Sequence, residues 1–419
     1  MARTMSHTLV IKNALIEDGK PLVDIGIDDG KIKKIGSRLE GEHVIDVNGD
    51  AVVPTFIETH IHLDKALLER VRPNREGTLA GAIKTTGELK KGFQDDEVYA
   101  RSKIVLDMVL KHGTTIIRCF PDTDPLGRLV GFKAMLKLKE EYKDFVDLIV
   151  CAFAQEGLIK SPGAYELLEE ALKMGSDLVG GCPYNENNFE DTKKHVDLIF
   201  KLAKKYNVDA SFHADFGDDI TDLRYRSIDY IIKKTVEEGY QGRVSVGHMT
   251  SLSSVDPKVL DETIKKMAEA KINLVSLPAT DLFLSGRGDV NKPRRGVLYP
   301  TKFIKGGVNH TFSTNNIQNG FTPFAKGDLL LIGAIYEHVA QLGTIDDQKM
   351  LLDMITKNAA KTLHIEKTYG LEAGKNADLV VLGIKKLSDI FIELPIRRYV
   401  IKKGRVIYRS EMPEIKAWN

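Results

Sequence analysis

Pro54-Thr55-Phe56-Ile57-Glu58-Thr59-His60-Ile61-His62-Leu63-Asp64-Lys65 begins in an apolar run and ends in two histidines one residue apart. Alternate residues of a strand face the same side. His60 and His62 therefore project together from the end of a strand, where two imidazoles can take adjacent positions on one metal ion. An H-x-H pair can equally be two unrelated histidines, so the rest of the chain decides its meaning.

Downstream, apolar strand-like runs alternate with helical patterns. The runs are Val52 to Ile57, Thr115 to Cys119, Val146 to Ala154, Leu178 to Cys182, Val208 to Phe212, Val244 to Val246, Ile272 to Leu277 and Val308 to Phe312. Asp96-Tyr99-Ile104-Met108 and Ala164-Leu168-Leu172-Met174 show helical period between them. Near-continuous apolar strands alternating with helices predict a parallel sheet covered on both faces. Eight such units predict an α/β fold, a (β/α)8 TIM barrel, whose chemistry sits at the C-terminal strand ends.

Those ends carry polar residues. The first has His60 and His62, the third leads into Gln155, the fifth ends in His213 and Asp215, the sixth in His248, and the eighth in Asn315 and Asn316. Four of eleven histidines thus fall at one end of the predicted barrel, which points to a shared metal site. Asp215 is a candidate proton acceptor, although orienting a histidine is the commoner duty of such a carboxylate. Asp64 and Lys65 read as a structural pair under the site.

The two chain ends differ from the middle. Short strands with Asp-Gly turns fill His7 to Ile45, and matching strands lie at Ala377–Leu382 and Tyr399–Tyr408. Residues 1–53 with 366–419 are expected to form one small β-sandwich, split by a barrel over 54–365.

Composition narrows the class. Lys+Arg 60 against Asp+Glu 59 leaves no charge excess to steer the chain to nucleic acid or an acidic membrane. Three scattered cysteines make no disulfide framework, no signal-peptide core opens the sequence, and no apolar run approaches a membrane span. A cytoplasmic homo-oligomer acting on a small molecule is expected, with neither nucleic acid nor membrane as partner.

The strand-end histidines, the split sandwich and the late Gly370-Leu371-Glu372-Ala373-Gly374-Lys375-Asn376-Ala377-Asp378-Leu379 together resemble the amidohydrolase superfamily over nearly the whole chain. Ala154-Gln155-Glu156-Gly157, His213-x-Asp215, His248, Gly286-Arg287-Gly288-Asp289 and Pro293-Arg294-Arg295-Gly296 resemble its bacterial cytosine deaminase and aminotriazine hydrolase branch. The resemblance implies one divalent metal, zinc or iron, on His60, His62 and His213, with Asn315 at the position of a further ligand. It implies that His248 contacts the nucleophilic water or polarises the substrate, and that Gln155 binds the ring edge. Phe216 and Phe321 suit a planar substrate. Arg287 could contact substrate or be a solvated loop cation. Two positions depart from the deaminases: Phe216 stands where they carry a proton-shuttling glutamate, and Asn315 where they carry an aspartate. The expected function is metal-dependent hydrolysis of a C–N bond in a small cyclic molecule by an activated water. The alternatives are a fold-retaining relative that binds ligand without catalysis, and a deaminase whose missing groups come from elsewhere.

Overall fold

The computed structural model describes residues 6–411. Its centre is an eight-stranded parallel sheet. In chain order the strands are Phe56–Ile61, Thr114–Cys119, Asp147–Ala154, Leu178–Gly181, Asp209–Ala214, Val244–His248, Asn273–Ser276 and Asn309–Phe312, each beside the next. The sheet closes where the eighth strand returns to the first. Thr59 N donates to Ser313 Oγ at 3.0 Å, Asn315 N donates to the His60 carbonyl at 3.0 Å, and His62 N donates to the Asn315 carbonyl at 2.9 Å. All six residues of the first strand are buried, as are all of the second, fourth and sixth. That is the signature of strands covered on one face by helices and on the other by the barrel interior.

The expected barrel is present, with one correction at its start. The run Val52 to Ile57 is not one barrel strand. Ala51–Pro54 pairs antiparallel with Leu379–Leu382 in a separate sheet, and the barrel strand begins at Phe56. Pro54 lacks the N–H that a continuing ladder needs, and the chain changes sheets at Thr55.

The sandwich has two four-stranded sheets. One is wholly N-terminal, built from His7–Ala14, Val23–Asp28, Lys31–Gly36 and Gly41–Asp46; the other joins Ala51–Pro54 to three C-terminal strands. Leu9, Ile11, Ile25 and Ile27 of the first meet Val52, Leu379, Val381 and Ile401 of the second in a common core. The chain ends are therefore tied by side-chain burial across the sandwich and by the ladder through Ala51–Pro54.

The helix at Asp95–Lys111 forms where the periodicity places it, but its buried face differs. Val98, Ser102, Val105, Leu106 and Val109 face the barrel, whereas Ile104 is 51% exposed. Likewise Ala164, Leu168, Ala171 and Leu172 bury one face of Ala164–Lys173, leaving Met174 outside the helix and exposed.

Candidate metal centre and ring-binding cavity

The site is built at the C-terminal mouth of the barrel. His60 lies in the first strand and His62 one residue beyond its end, so strand alternation turns both inward. His213 comes from the fifth strand and His248 from the end of the sixth. All four are buried. His213 Nε2 stands 2.9 Å from His60 Nε2 and 3.0 Å from His62 Nε2. The ligating nitrogens of His60, His213 and His248 lie within 4.8 Å of one another.

Their surroundings fix the tautomers. His62 Nδ1 donates to the Phe120 carbonyl at 2.7 Å, and His248 Nδ1 donates to Asp281 Oδ1 at 2.7 Å. Each ring therefore turns an unprotonated Nε2 to the centre. His60 stacks on Phe120 with ring centroids 4.3 Å apart, and His213 packs 4.1 Å from Phe153. Gly247 leaves space for this packing, because a Cβ there would lie 3.0 Å from His60 Cε1. Burial drives His60, His62 and His213 well below the ordinary imidazole range, and neighbouring cationic groups add to this.

The arrangement fits a metal. Two nitrogens bound at about 2.0–2.1 Å to one ion lie about 2.9–3.4 Å apart for angles near 90–110°. Three neutral, buried imidazoles converging at that spacing satisfy one another poorly, since one shared nitrogen cannot serve two neighbours as a donor. Asn315 Oδ1 is also buried without a partner and lines the same cavity. Its backbone adopts φ 66° where the eighth strand meets the first.

Beside the histidines lies a narrow cavity. Gln155, Phe216, Phe321 and Asn315 line it, with His62, His213 and His248. Phe216 stacks on His248 with centroids 4.4 Å apart and planes 14° from parallel. Tyr184 packs edge-on to Phe216, and both rings line the cavity with Phe321.

Two of the candidate residues are placed elsewhere. Asp215 does not share the direction of His213, because the strand ends at Ala214 and Asp215 takes φ 50°. Its carboxylate instead accepts from Ser227 N at 2.7 Å, Ser227 Oγ at 2.6 Å and Ile228 N at 3.2 Å. It anchors the start of the helix Ile228–Glu237, and burial pushes its carboxyl up to about 6. Arg287 is exposed, donates to the Phe283 carbonyl and stands over the Phe283 ring, away from the cavity lining.

Asp64 and Lys65 are not a pair with one another. Lys65 Nζ donates to Asp122 Oδ1 at 2.7 Å and Gln155 Oε1 at 3.1 Å, and it lines the cavity. Asp64 accepts from Asp122 N at 2.9 Å. Asp122 is shared with buried Lys90, which also binds Asp124 and Glu156. Burial acts to raise the Asp122 carboxyl, but Lys65 and Lys90 hold it well below the ordinary carboxylate range.

Asp281 is a site group that sequence reasoning does not reach, and Lys65 is one that it reads only as half of a structural pair. Asp281 follows Pro278 in the first turn of Pro278–Leu284, the helix after the seventh strand. That strand end carries no histidine, and a carboxylate in the first turn of the following helix is the only signal the sequence offers there.

Comparison with known proteins agrees with this architecture. Residues 51–407 match the family model described as the amidohydrolase family. The chain is 33% identical to N-isopropylammelide isopropyl amidohydrolase of Pseudomonas sp. (strain ADP), covering 96% of this chain and 98% of that protein. It is 26% identical to pterin deaminase of Rhizobium rhizogenes, covering 94% and 89%. Among solved structures, 5-methylcytosine deaminase from Klebsiella pneumoniae liganded with 5-fluorocytosine superposes with a TM-score of 0.92 at 28% identity, covering 97% of this chain and 99% of that one. The chain belongs to the amidohydrolase family. It is a hydrolase of carbon–nitrogen bonds other than peptide bonds.

Proposed function

We propose that this protein hydrolyses an exocyclic C–N bond on a single small ring, of the aminopyrimidine, aminotriazine or pterin type, with one zinc or iron ion. The observation that carries this reading is the convergence of His60, His62 and His213 nitrogens beside an aromatic-walled cavity. Imidazole donors suit either metal. The names of the similar proteins, which act on an ammelide, a pterin and a cytosine, support the choice of ring. Three buried, free cysteines support the cytoplasm as the compartment.

His60, His62 and His213 would hold the ion, with Asn315 Oδ1 as a neutral neighbour. When bound, the ion supplies Lewis-acid activation of water. His248 is the proton carrier. Its Nδ1–H is committed to Asp281, so Nε2 is free to accept a proton from the attacking water and return it to the leaving nitrogen. Asp281 stabilises the imidazolium in between. Gln155 meets the ring edge, while Phe216, Tyr184 and Phe321 hold its faces.

A second reading, ligand binding without turnover, is favoured by one feature: among the described residues no carboxylate lines the cavity. Ammonia and alkylamine release from a panel of aminopyrimidines, aminotriazines and pterins, with metal content measured on the same samples, separates the two. Release at enzymatic rates supports hydrolysis. Stoichiometric metal with ring binding but no release supports the second reading.

A further inference from the structure

We infer that Lys65 makes this site selective for rings that carry an ionised oxygen, bound as the anion of a lactam or imide. The inference rests on reading the cavity as a ring-binding site. Its observations are the charge and donor pattern of the wall.

Lys65 is the one Lys, Arg, Asp or Glu side chain lining the cavity among the described residues. The nearby carboxylates are turned into the wall. Asp122 faces Lys65 and Lys90, Asp215 faces Ser227 and Ile228, and Asp281 faces His248 and the backbone N–H of Leu277. Lys65 shares Asp122 with Lys90, whose other partners are Asp124 and Glu156, so Lys65 is the member of this network whose ammonium reaches the cavity. Lys65 is 1% exposed, so water does little to screen it. Two of its three N–H donors are used, on Asp122 and Gln155. The ammonium lies 5.4 Å from the Phe321 ring centroid, against the wall that would face a bound ring.

Lys65 also sets the orientation of Gln155. The ammonium can only donate, so Gln155 must present its oxygen to Lys65. Its amide nitrogen touches Cys182 Sγ at 3.6 Å and the Tyr184 hydroxyl, which leaves one N–H for the cavity side. The two residues therefore offer a donor–donor edge. A neutral lactam presents one donor and one acceptor along its N–C–O edge, and one of them meets a like group. An ionised lactam or imide presents two acceptors and matches both. Hydrogen bonds to a charged partner are stronger than neutral ones, and an unmatched buried donor costs more than it contributes.

The test compares two six-membered rings that differ in ionisation. Barbiturate is an anion at neutral pH, and uracil is neutral. Calorimetric titration of the zinc-loaded full chain should give barbiturate an affinity about tenfold or more above uracil. Lys65→Met should abolish this preference, chiefly by weakening barbiturate binding. In the unaltered protein, barbiturate affinity should fall as pH is lowered through the ligand's own pKa; this arm decides the matter if Lys65→Met does not fold. Equal affinities, a preference kept in folded Lys65→Met, an affinity indifferent to ligand ionisation, or binding of neither ring overturns the inference. Absence of amine release from a metal-replete protein that still prefers barbiturate would instead overturn the hydrolase reading and leave this one standing.

Discussion

His248 and Asp281 meet behind the cavity wall. His248 Nδ1 donates to Asp281 Oδ1 at 2.7 Å, and Asp281 Oδ2 accepts from Leu277 N at 3.1 Å. The second contact holds the carboxylate in place at the start of a helix, so the imidazole cannot turn over. Asp281→Asn keeps the shape and removes the charge that stabilises protonated His248. It should lower kcat about 10–100-fold with metal content unchanged. Steady-state kinetics on any ring the enzyme turns over, paired with elemental analysis, checks this. An unchanged kcat would mean that His248 does not carry the proton.

The histidines should separate by metal content. His62→Ala and His213→Ala should purify nearly metal-free, because each removes one of three converging nitrogens. His248→Ala should keep its metal and lose turnover. A metal-free His248→Ala together with a metal-replete His62→Ala would make His248 the third ligand in place of His62.

Asn315→Asp should slow metal loss to a chelator. Asn315 Oδ1 already lies buried, unpartnered and on the cavity wall, and a carboxylate there adds charge to a neutral donor set. Stopped-flow release with a chromogenic chelator measures it. No change would show that the side chain does not face the ion.

Lys90→Met should destabilise the protein by about 3–5 kcal/mol, since it strands buried Asp124 and takes one of two ammonium partners from Asp122. Lys90 Nζ lies 2.9 Å from Asp122, 2.7 Å from Asp124 and 2.8 Å from Glu156. Urea unfolding with an unchanged m-value is the appropriate measurement.

Stability should also carry a histidine titration from outside the site. His364 Nε2 lies 3.0 Å from Asp209 Oδ2, a contact that raises the imidazole above its ordinary range despite partial burial. A raised folded-state pKa means the contribution is complete below the unfolded value of about 6.5 and is lost as pH rises through the folded value. His364→Gln should therefore flatten the decline in stability above about pH 6.5. The effect should be small and salt-sensitive, because His364 is half exposed.

The barrel was legible because hydrophobic runs and strand-end histidines obey periods that local sequence preserves. What the sequence hid follows from the two places where a period breaks. Pro54 ends one strand four residues before Glu58, and an apolar run does not show that its halves belong to different sheets. Asp215 leaves the strand in a left-handed conformation, so its side chain abandons the face that alternation assigns it. The Lys65 network was hidden for another reason. Its partners Asp122 and Gln155 are 57 and 90 residues away, and no spacing rule links a lysine to carboxylates on other strands. Adjacent Asp64 was the nearest partner in sequence and the wrong one in space.

The seam between the first and eighth strands has a consequence for how the protein comes into being. The backbone of Asn315 accepts from His62 N and donates to the His60 carbonyl, while the His60 and His213 rings meet across 153 residues of chain. Neither histidine of the first strand is fixed until the last strand has arrived. A nascent chain on the ribosome carries all four imidazoles long before it carries the segment that aligns them. Metal capture is then a late event, which rewards the finished barrel and does little to guide its assembly.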